Sequence, residues 1–134
     1  MKYLLDTDVI VNQLRGKKRI KEDVIVKGTA ISIITFGELL YGAEKSTNKE
    51  NSLIVINKFI SDLQIDILGL NQEIMHIYAE TKTFLETAGK RLDEFDLLIG
   101  ATAIVYSLTI TTLNLRHFKR IPNLRIAKDF LEKV

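Results

Sequence analysis

Acidic side chains follow the ends of short apolar segments in this chain, and this placement limits what the chain can fold into. The first apolar segment, Tyr3–Leu5, stops at Asp6, and a second one, Ala30–Ile34, is followed by Glu38. If such segments are strands of one parallel sheet, the residues that follow them meet at the same edge of the sheet. We therefore expect Asp6 and Glu38 to lie close together.

Two further segments fit the same arrangement. Asp93 and Asp96 open the apolar segment Leu97–Ile110, and the β-branched residues that follow lead to Asn114. Clustered carboxylates repel one another unless a hard cation such as Mg²⁺ or Mn²⁺ lies between them. The pattern predicts a metal site, and such a site is typical of enzymes that act on phosphoesters.

The composition agrees with a site made of oxygen ligands in a folded protein. The chain has 134 residues, of which 46% are hydrophobic, enough for one domain with a core. It contains no cysteine and only two histidines, so a thiolate zinc site is excluded and Mg²⁺, Mn²⁺ or Ca²⁺ is favoured. The net charge of +2 says little about partners.

Nothing in the pattern indicates a membrane or export segment. Asp6 and Asp8 interrupt the N-terminal apolar residues, which is unlike a signal peptide. The mostly apolar stretch Leu97–Ile110 is too short and too polar to span a bilayer. We expect a cytoplasmic protein.

Apolar periodicity predicts strands that alternate with helices along the whole chain. The predicted strands are Tyr3–Leu5, Ala30–Ile34, Ile65–Leu68, Leu108–Thr111 and Leu124–Ala127. The predicted helices are Val9–Leu14, Phe36–Lys45, Ser52–Leu63, the segment from Asn71 to Gly89, Phe95–Tyr106 and Leu115–Arg120. The predicted fold class is α/β, with three layers: a central, mostly parallel sheet of about five strands and helices on both faces. Residues 1–134 are expected to form a single domain.

Helix capping offers another explanation for most of these polar side chains, because helix starts favour Asp, Asn, Ser and Thr. Asp8, Asp93 and Asn114 could each cap the helix that follows, and Thr35 with Glu38 matches a capping box. Capping does not explain Asp6 well, because Asp6 precedes the best cap candidate.

Asp96 is also poorly explained by capping alone. It lies among Phe95, Leu97 and Leu98. A carboxylate beside so much apolar surface is costly unless it is compensated.

Four segments, in order along the chain, resemble the motifs of the PIN-domain ribonucleases, and within them those of the toxins of VapBC toxin–antitoxin pairs. Leu4–Ile10 is similar to the family's LDTN start, and residues 33–42 to its ITxxELxxG stretch. Phe95–Ala101 resembles the DLLIAA stretch, and Thr112–Phe118 the TxN/DxxxF stretch. The resemblance covers nearly the whole chain and implies a PIN-like fold.

The resemblance also implies the roles of the acidic residues. Asp6, Glu38 and Asp96 would bind Mg²⁺ or Mn²⁺, and Asn114 would take the fourth catalytic position, where other members have Asp. Asp8 stands where many members have Asn. Whether a second metal ion binds is left open, since Asn114 removes a charge.

Supporting roles are expected for neighbours of these residues. Thr7, Asp8, Asp93 and Thr112 could orient ligands or the attacking water. His117 is expected to be a surface or packing residue.

The implied activity is that of a metal-dependent endoribonuclease in which metal-activated water cleaves RNA, leaving a 5′-phosphate and a 3′-hydroxyl. The implied biological role is that of a toxin that inhibits translation. The implied partners are the RNA substrate, a VapB-like antitoxin lying along Phe36–Lys45 and Ser52–Leu63, and a second copy of the chain in a homodimer.

An acidic site that binds a polyanion needs basic residues around it. The candidates are Arg15, Lys17, Lys18, Arg19, Arg116 and Lys119. For either group alone, an ordinary solvated basic surface is the favoured explanation. Phe36, Phe95 and Phe118 fit core positions, so we expect RNA to be recognised by its shape and backbone rather than by stacking.

Two other functions remain open. Asp6-Thr7-Asp8 resembles the nucleophile motif of haloacid-dehalogenase-type phosphatases, although Val9 and Ile10 replace the expected turn and Thr. A PIN scaffold without activity, acting as a binding module, is the other alternative.

Overall fold

The structure is a computed structural model that describes residues 1–134. In chain order its elements are β1 (Tyr3–Leu5), α1 (Thr7–Leu14), β2 (Lys18–Ile20), α2 (Glu22–Val26), β3 (Thr29–Ser32), α3 (Ile33–Lys45), α4 (Lys49–Asp62), β4 (Asp66–Leu68), α5 (Gln72–Thr87), α6 (Glu94–Val105), β5 (Thr109–Thr111), α7 (Leu115–Phe118) and β6 (Leu131–Lys133). No helix combines the length and the apolar character needed to cross a membrane.

The central sheet has four parallel strands in the order β4-β3-β1-β5. Tyr3 of β1 lies opposite Thr29 of β3 on one side and Thr109 of β5 on the other. The strand order therefore reverses at β1, and the crevice at the C-terminal end of such a strand is where open α/β sheets bind ligands. Asp6 is the first residue of that crevice.

Helices cover both faces of the sheet, which confirms the predicted α/β layers. Leu4 and Leu5 are both fully buried but belong to different cores, because successive side chains of a strand point to opposite faces. Leu5 packs with side chains of α1 to α4, whereas Leu4 packs with side chains of α5, α6 and α7.

The predicted fifth strand is reduced to a single bridge. Ile126 pairs in parallel with Ile110, whose N–H donates to the Arg125 carbonyl at 2.9 Å. The chain approaches this edge of the sheet only briefly, between positive-φ residues at Asn123 and Asp129. The sheet therefore has four strands rather than about five.

Three elements were not predicted. The strands β2 and β6 form a separate antiparallel pair, and α2 joins β2 to the central sheet. In this pair Arg19 lies opposite Glu132, and their side chains form an ion pair at 2.7 Å. The residues of β2 lack apolar alternation, and their partner lies more than 100 residues away, so local patterning gave no sign of the pair.

Several helix starts differ from the sequence prediction. The Ser32 hydroxyl accepts the Ile34 N–H at 3.0 Å and caps α3, so the capping box of Thr35 with Glu38 is wrong. Asp6, rather than Asp8, occupies the N-cap position of α1, which begins at Thr7 rather than Val9. These corrections leave Glu38 in the second turn of α3 without a capping role.

Candidate active site

Asp6 lies at the centre of the crevice, between β1 and α1, and is only 6% exposed. Its Oδ1 accepts the Thr7 N–H at 2.9 Å, and its Oδ2 accepts the Thr112 hydroxyl at 2.8 Å. The Thr112 oxygen in turn accepts the Asn114 N–H at 2.9 Å. These bonds fix the Asp6 carboxylate against the loop that follows β5.

Glu38 reaches the same crevice from α3. Its Oε1 accepts the Thr7 hydroxyl at 2.7 Å, and the Thr7 oxygen lies 3.1 Å from the hydroxyl of Thr35. Thr35 is fully buried, whereas Glu38 is half-buried. Thr7 thus joins the two carboxylates of the crevice, since its N–H holds Asp6 and its hydroxyl holds Glu38.

Asp96 belongs to the first turn of α6, which packs against α3 and α7. Its Oδ2 lies 3.4 Å from Nδ1 of His117, and the same Nδ1 lies 2.7 Å from Nδ2 of Asn114. Asn114 holds the N-cap position of α7 but makes no side-chain capping bond. The side-chain amide of Asn114 therefore contacts His117 in the site and does not cap α7.

His117 was predicted to be a surface or packing residue, and its contacts with Asn114 and Asp96 correct that prediction. Its side chain is 42% exposed but turns one ring nitrogen towards the site. The available signal was its spacing: Asn114 and His117 are three residues apart across one helical turn, which places them side by side.

The remaining supporting candidates divide into two groups. Asp8 faces the crevice, where its Oδ1 accepts the Leu113 N–H at 3.2 Å. Asp93 is exposed, and its Oδ2 accepts the Phe95 N–H at 3.1 Å, so Asp93 is a helix cap, as one of its two interpretations had it.

The negative charges of the carboxylates in the crevice are not balanced by neighbouring lysine or arginine side chains. Burial, assisted by the charge of Asp8, raises the pKa of Asp6 to about 7 against the hydrogen bonds from Thr112 and Thr7. Burial also raises the pKa of Asp8, and that of Asp96 despite the neighbouring His117. No ion pair with a lysine or an arginine involves Asp6, Asp8 or Glu38. A cation bound among these carboxylates would stabilise their charged forms.

The donor set fits a hydrated ion better than a closed protein cage. No three acidic or histidine side chains converge closely enough to hold an ion by themselves. Mg²⁺ does not require this, because it is usually bound by one or two carboxylates and keeps several waters. The buried carboxylate of Asp6 and the partly buried carboxylates beside it, none of them paired with a lysine or an arginine, match that preference.

The basic candidates lie in different places. Arg116 and Lys119 are exposed on or directly after α7, next to Asn114. Lys17, Lys18 and Arg19 follow the far end of α1, an eight-residue helix about 12 Å long. Whether this second group borders the carboxylates stays a prediction.

Arg15 lies apart from both groups. It lines a groove between α1, α3 and α4, and Glu38 lines the same groove. Of the four basic residues near the end of α1, Arg15 is the one that shares a surface with the crevice.

Acidic and amide side chains at the strand-order reversal of a parallel sheet place this chain among α/β proteins whose active site lies at the C-terminal ends of the strands. Comparison with known proteins identifies the family within this class of α/β proteins. The family model of the PIN domain matches residues 3–124, so the chain belongs to the PIN domain family, and within it to the VapC ribonucleases.

Similar proteins support this placement. "Ribonuclease VapC2" of Rickettsia felis is 35% identical over 92% of this chain and 95% of that protein. "tRNA(fMet)-specific endonuclease VapC" of Salmonella typhimurium is 33% identical over 94% of this chain and 96% of that protein. The crystal structure of VapBC2 from Rickettsia felis bound to a promoter DNA fragment matches with a TM-score of 0.84 and 32% identity, over 95% of this chain and 98% of that one.

Proposed function

We propose that this VapC ribonuclease hydrolyses RNA with Mg²⁺ or Mn²⁺ and acts as the toxin of a toxin–antitoxin pair. The observation that carries the proposal is the crevice itself: Asp6, Asp8, Glu38 and Asp96 line the strand-order reversal, and none of them is paired with a lysine or an arginine. The names of the relatives, which include a tRNA-specific endonuclease, support RNA as the substrate.

Each side chain has a role in this proposal. Asp6, Glu38 and Asp96 would hold the ion, directly or through its waters. The ion would lower the pKa of a bound water and polarise the scissile phosphate. Thr7 and Thr112 keep the carboxylates of Asp6 and Glu38 aimed into the crevice through the bonds at 2.7 to 2.9 Å.

Asn114 is placed to orient the substrate or the attacking water. Its Nδ2 is engaged by His117, which leaves its side-chain oxygen available to accept a hydrogen bond. Arg116 and Lys119 extend from the same segment and would contact RNA phosphates. A role of Lys17, Lys18 and Arg19 in RNA binding stays a prediction.

The antitoxin would occupy the groove between α1, α3 and α4. The groove is about 290 Å³ in volume, and it is lined by apolar side chains such as Val11, Leu14 and Val55, with Arg15 and Glu38 also at its wall. A partner segment with an apolar face could therefore run along α3 and α4 and end at the crevice. This agrees with the expected position of a VapB-like chain, and the similar structures are VapBC complexes.

A homodimer is also proposed from the family resemblance. An exposed apolar surface suited to a second copy lies at the β4 edge of the sheet, where Ile67, Leu70 and Met75 are 39%, 39% and 42% exposed.

The direct test is RNA cleavage with and without metal. The protein should cut RNA in Mg²⁺ or Mn²⁺ and leave 5′-phosphate ends, and excess EDTA should stop the reaction. Undiminished cleavage in EDTA would remove the metal from the proposal. A covalent phosphate on Asp6 would support the phosphatase alternative, and metal binding without any cleavage would support an inactive scaffold.

A further inference from the structure

One ring nitrogen of His117 contacts both Asn114 and Asp96 at the acidic crevice. Nδ1 of His117 lies 2.7 Å from Nδ2 of Asn114 and 3.4 Å from Oδ2 of Asp96. Phe118, the next residue, is fully buried and anchors α7 to the core, so the position of His117 is fixed. The roles proposed for the acids and for Asn114 leave this histidine without a function.

The short distance between the two nitrogens determines which of them carries the hydrogen. An amide nitrogen only donates, so the Nδ1 of His117 must accept from Asn114 at 2.7 Å, and the hydrogen of the neutral ring lies on Nε2. The side chain of His117 is 42% exposed, so its Nε2–H can donate to water. A ring nitrogen that accepts cannot donate to Asp96, and the contact at 3.4 Å is therefore not an ion pair in this arrangement.

The start of α7 shows that Asn114 gives up its usual bond for this contact. Asn is among the favoured N-cap residues because its side-chain oxygen accepts a free N–H of the first helical turn. Asn114 holds the N-cap position of α7 without such a bond, while its own N–H donates to the Thr112 hydroxyl oxygen at 2.9 Å. The contact with His117 is thus the one hydrogen bond that its carboxamide makes within the chain.

This orientation of the carboxamide has to be held, because the surroundings favour the opposite one. The carboxylates of Asp6, Asp8 and Asp96 border the crevice, and they attract the NH₂ end of an amide and repel its oxygen. Without His117, we expect the carboxamide of Asn114 to turn its NH₂ end towards these acids. The turned amide would offer a donor where an attacking water needs an acceptor for its hydrogen.

We propose that His117 is a positioning residue, whose Nδ1 holds the NH₂ end of Asn114 so that the side-chain oxygen faces the crevice. This role rests on the proposed ribonuclease function, in which Asn114 takes part through that oxygen. Asn114→Asp removes the need for His117, because the two oxygens of a carboxylate are equivalent. A histidine that only supported the fold would be needed equally in both backgrounds.

RNA cleavage by a set of variants tests this role. His117→Leu removes the acceptor and should lower kcat about tenfold, the lower range for residues that orient a group of a metal site. His117→Asn keeps an acceptor at the same distance from the backbone and should recover most of the activity. Asn114→Asp should still cut RNA, and adding His117→Leu to it should lower kcat by less than about twofold. His76→Gln, which replaces the other histidine, exposed on α5, is the matched control and should leave kcat unchanged.

Nuclear magnetic resonance of the metal-free protein tests the hydrogen bond without any cleavage. An N–H···N bond couples its two nitrogen nuclei, so the ¹⁵N-labelled protein at about pH 8, where histidine is ordinarily neutral, should show a coupling between Nδ2 of Asn114 and Nδ1 of His117. The chain has only two histidines, so His76→Gln leaves one imidazole and assigns its signals. The coupling should be lost in His117→Leu and in Asn114→Asp.

Three results would overturn the role of His117 while the wild type still cuts RNA and the ribonuclease proposal stands. A hydrogen on Nδ1 with no coupling to Asn114 would show that the amide faces the other way. No loss of activity from His117→Leu, or an equal loss in both backgrounds, would show that the histidine does not orient Asn114. An inactive Asn114→Asp variant would show that the NH₂ end of Asn114 acts in the crevice. If the wild type cuts no RNA, both proposals fail.

Discussion

Among single residues, Asp6 sets the electrostatics of the crevice. Folding buries its carboxyl beside Asp8 and raises its pKa from 3.8 to about 7. Because the folded pKa lies above the unfolded one, the folded state favours the protonated form. Its contribution to stability is therefore complete below about pH 4 and is lost as the pH rises through 7.

This gives a prediction for the metal-free protein. The wild type should lose melting temperature between pH 5 and pH 8, by at least about 4 °C, because Asp6 must ionise inside the fold. Asp6→Asn keeps an oxygen for the Thr7 N–H and carries no charge, so its melting temperature should depend less on pH and should match or exceed that of the wild type at pH 8. Thermal melts of both proteins in EDTA across this range check the prediction. If the melting temperatures of the two proteins depend on pH in the same way, Asp6 is not the group whose ionisation destabilises the fold.

At the level of helices and strands, the two basic groups differ in their relation to the crevice. Arg116 and Lys119 accompany Asn114, whereas Lys17 and Lys18 lie at the far end of α1. Each phosphate contact of a single strand contributes about 0.7 to the slope of log K against log salt. Replacing Arg116 and Lys119 with glutamine should therefore lower the slope of RNA binding by about 1.4. Replacing Lys17 and Lys18 with glutamine serves as the comparison and should lower the salt slope of RNA binding by less. Equal losses would place both groups on the RNA path.

The same elements show what could be predicted from the sequence. Apolar segments and their periodicity predict the four strands of the central sheet and the helices α3 to α6. The positions of Asp6, Glu38 and Asp96 next to those apolar segments predict that these three residues belong to the site. The pair of β2 and β6 does not, because its register depends on residues more than 100 positions apart.

Two side chains escaped prediction for a related reason. Phe95 is apolar in an apolar helix and was expected in the core, but it is 47% exposed because the first turn of α6 is open. His117 looks like a surface residue until α7 brings it beside Asp96. Hydrophobicity identifies the elements of this fold, but it does not say which side chain faces the crevice.

At the level of the whole molecule, the groove between α1, α3 and α4 touches the acidic crevice at Glu38, but most of its lining lies away from the crevice. A substitution far along the groove should therefore affect inhibition by an antitoxin without affecting RNA cleavage. Val55 is 39% exposed in the groove of α1, α3 and α4 and is remote from the bonds of the crevice. Val55→Glu should keep RNA cleavage but resist inhibition by the antitoxin, because a charge would be buried in the complex. Cleavage assays with added antitoxin test this, with Ile54→Glu, at a 64% exposed position outside the groove lining, as the control. Full inhibition of Val55→Glu would place the antitoxin elsewhere.

The central claim is that Asp96, and Asp6 in addition to its N-cap position in α1, are metal ligands. A calorimetric Mn²⁺ titration combined with RNA cleavage tests this claim most directly. Asp6→Asn and Asp96→Asn should fold, bind Mn²⁺ at least about tenfold more weakly than the wild type and cut no RNA. Asp93→Ala removes a true cap, so it should lose about 1 kcal/mol of stability while keeping both Mn²⁺ binding and cleavage. If Asp6→Asn and Asp96→Asn are instead destabilised but still bind Mn²⁺ and cut RNA as the wild type does, the acids are caps and the metal-nuclease account is contradicted.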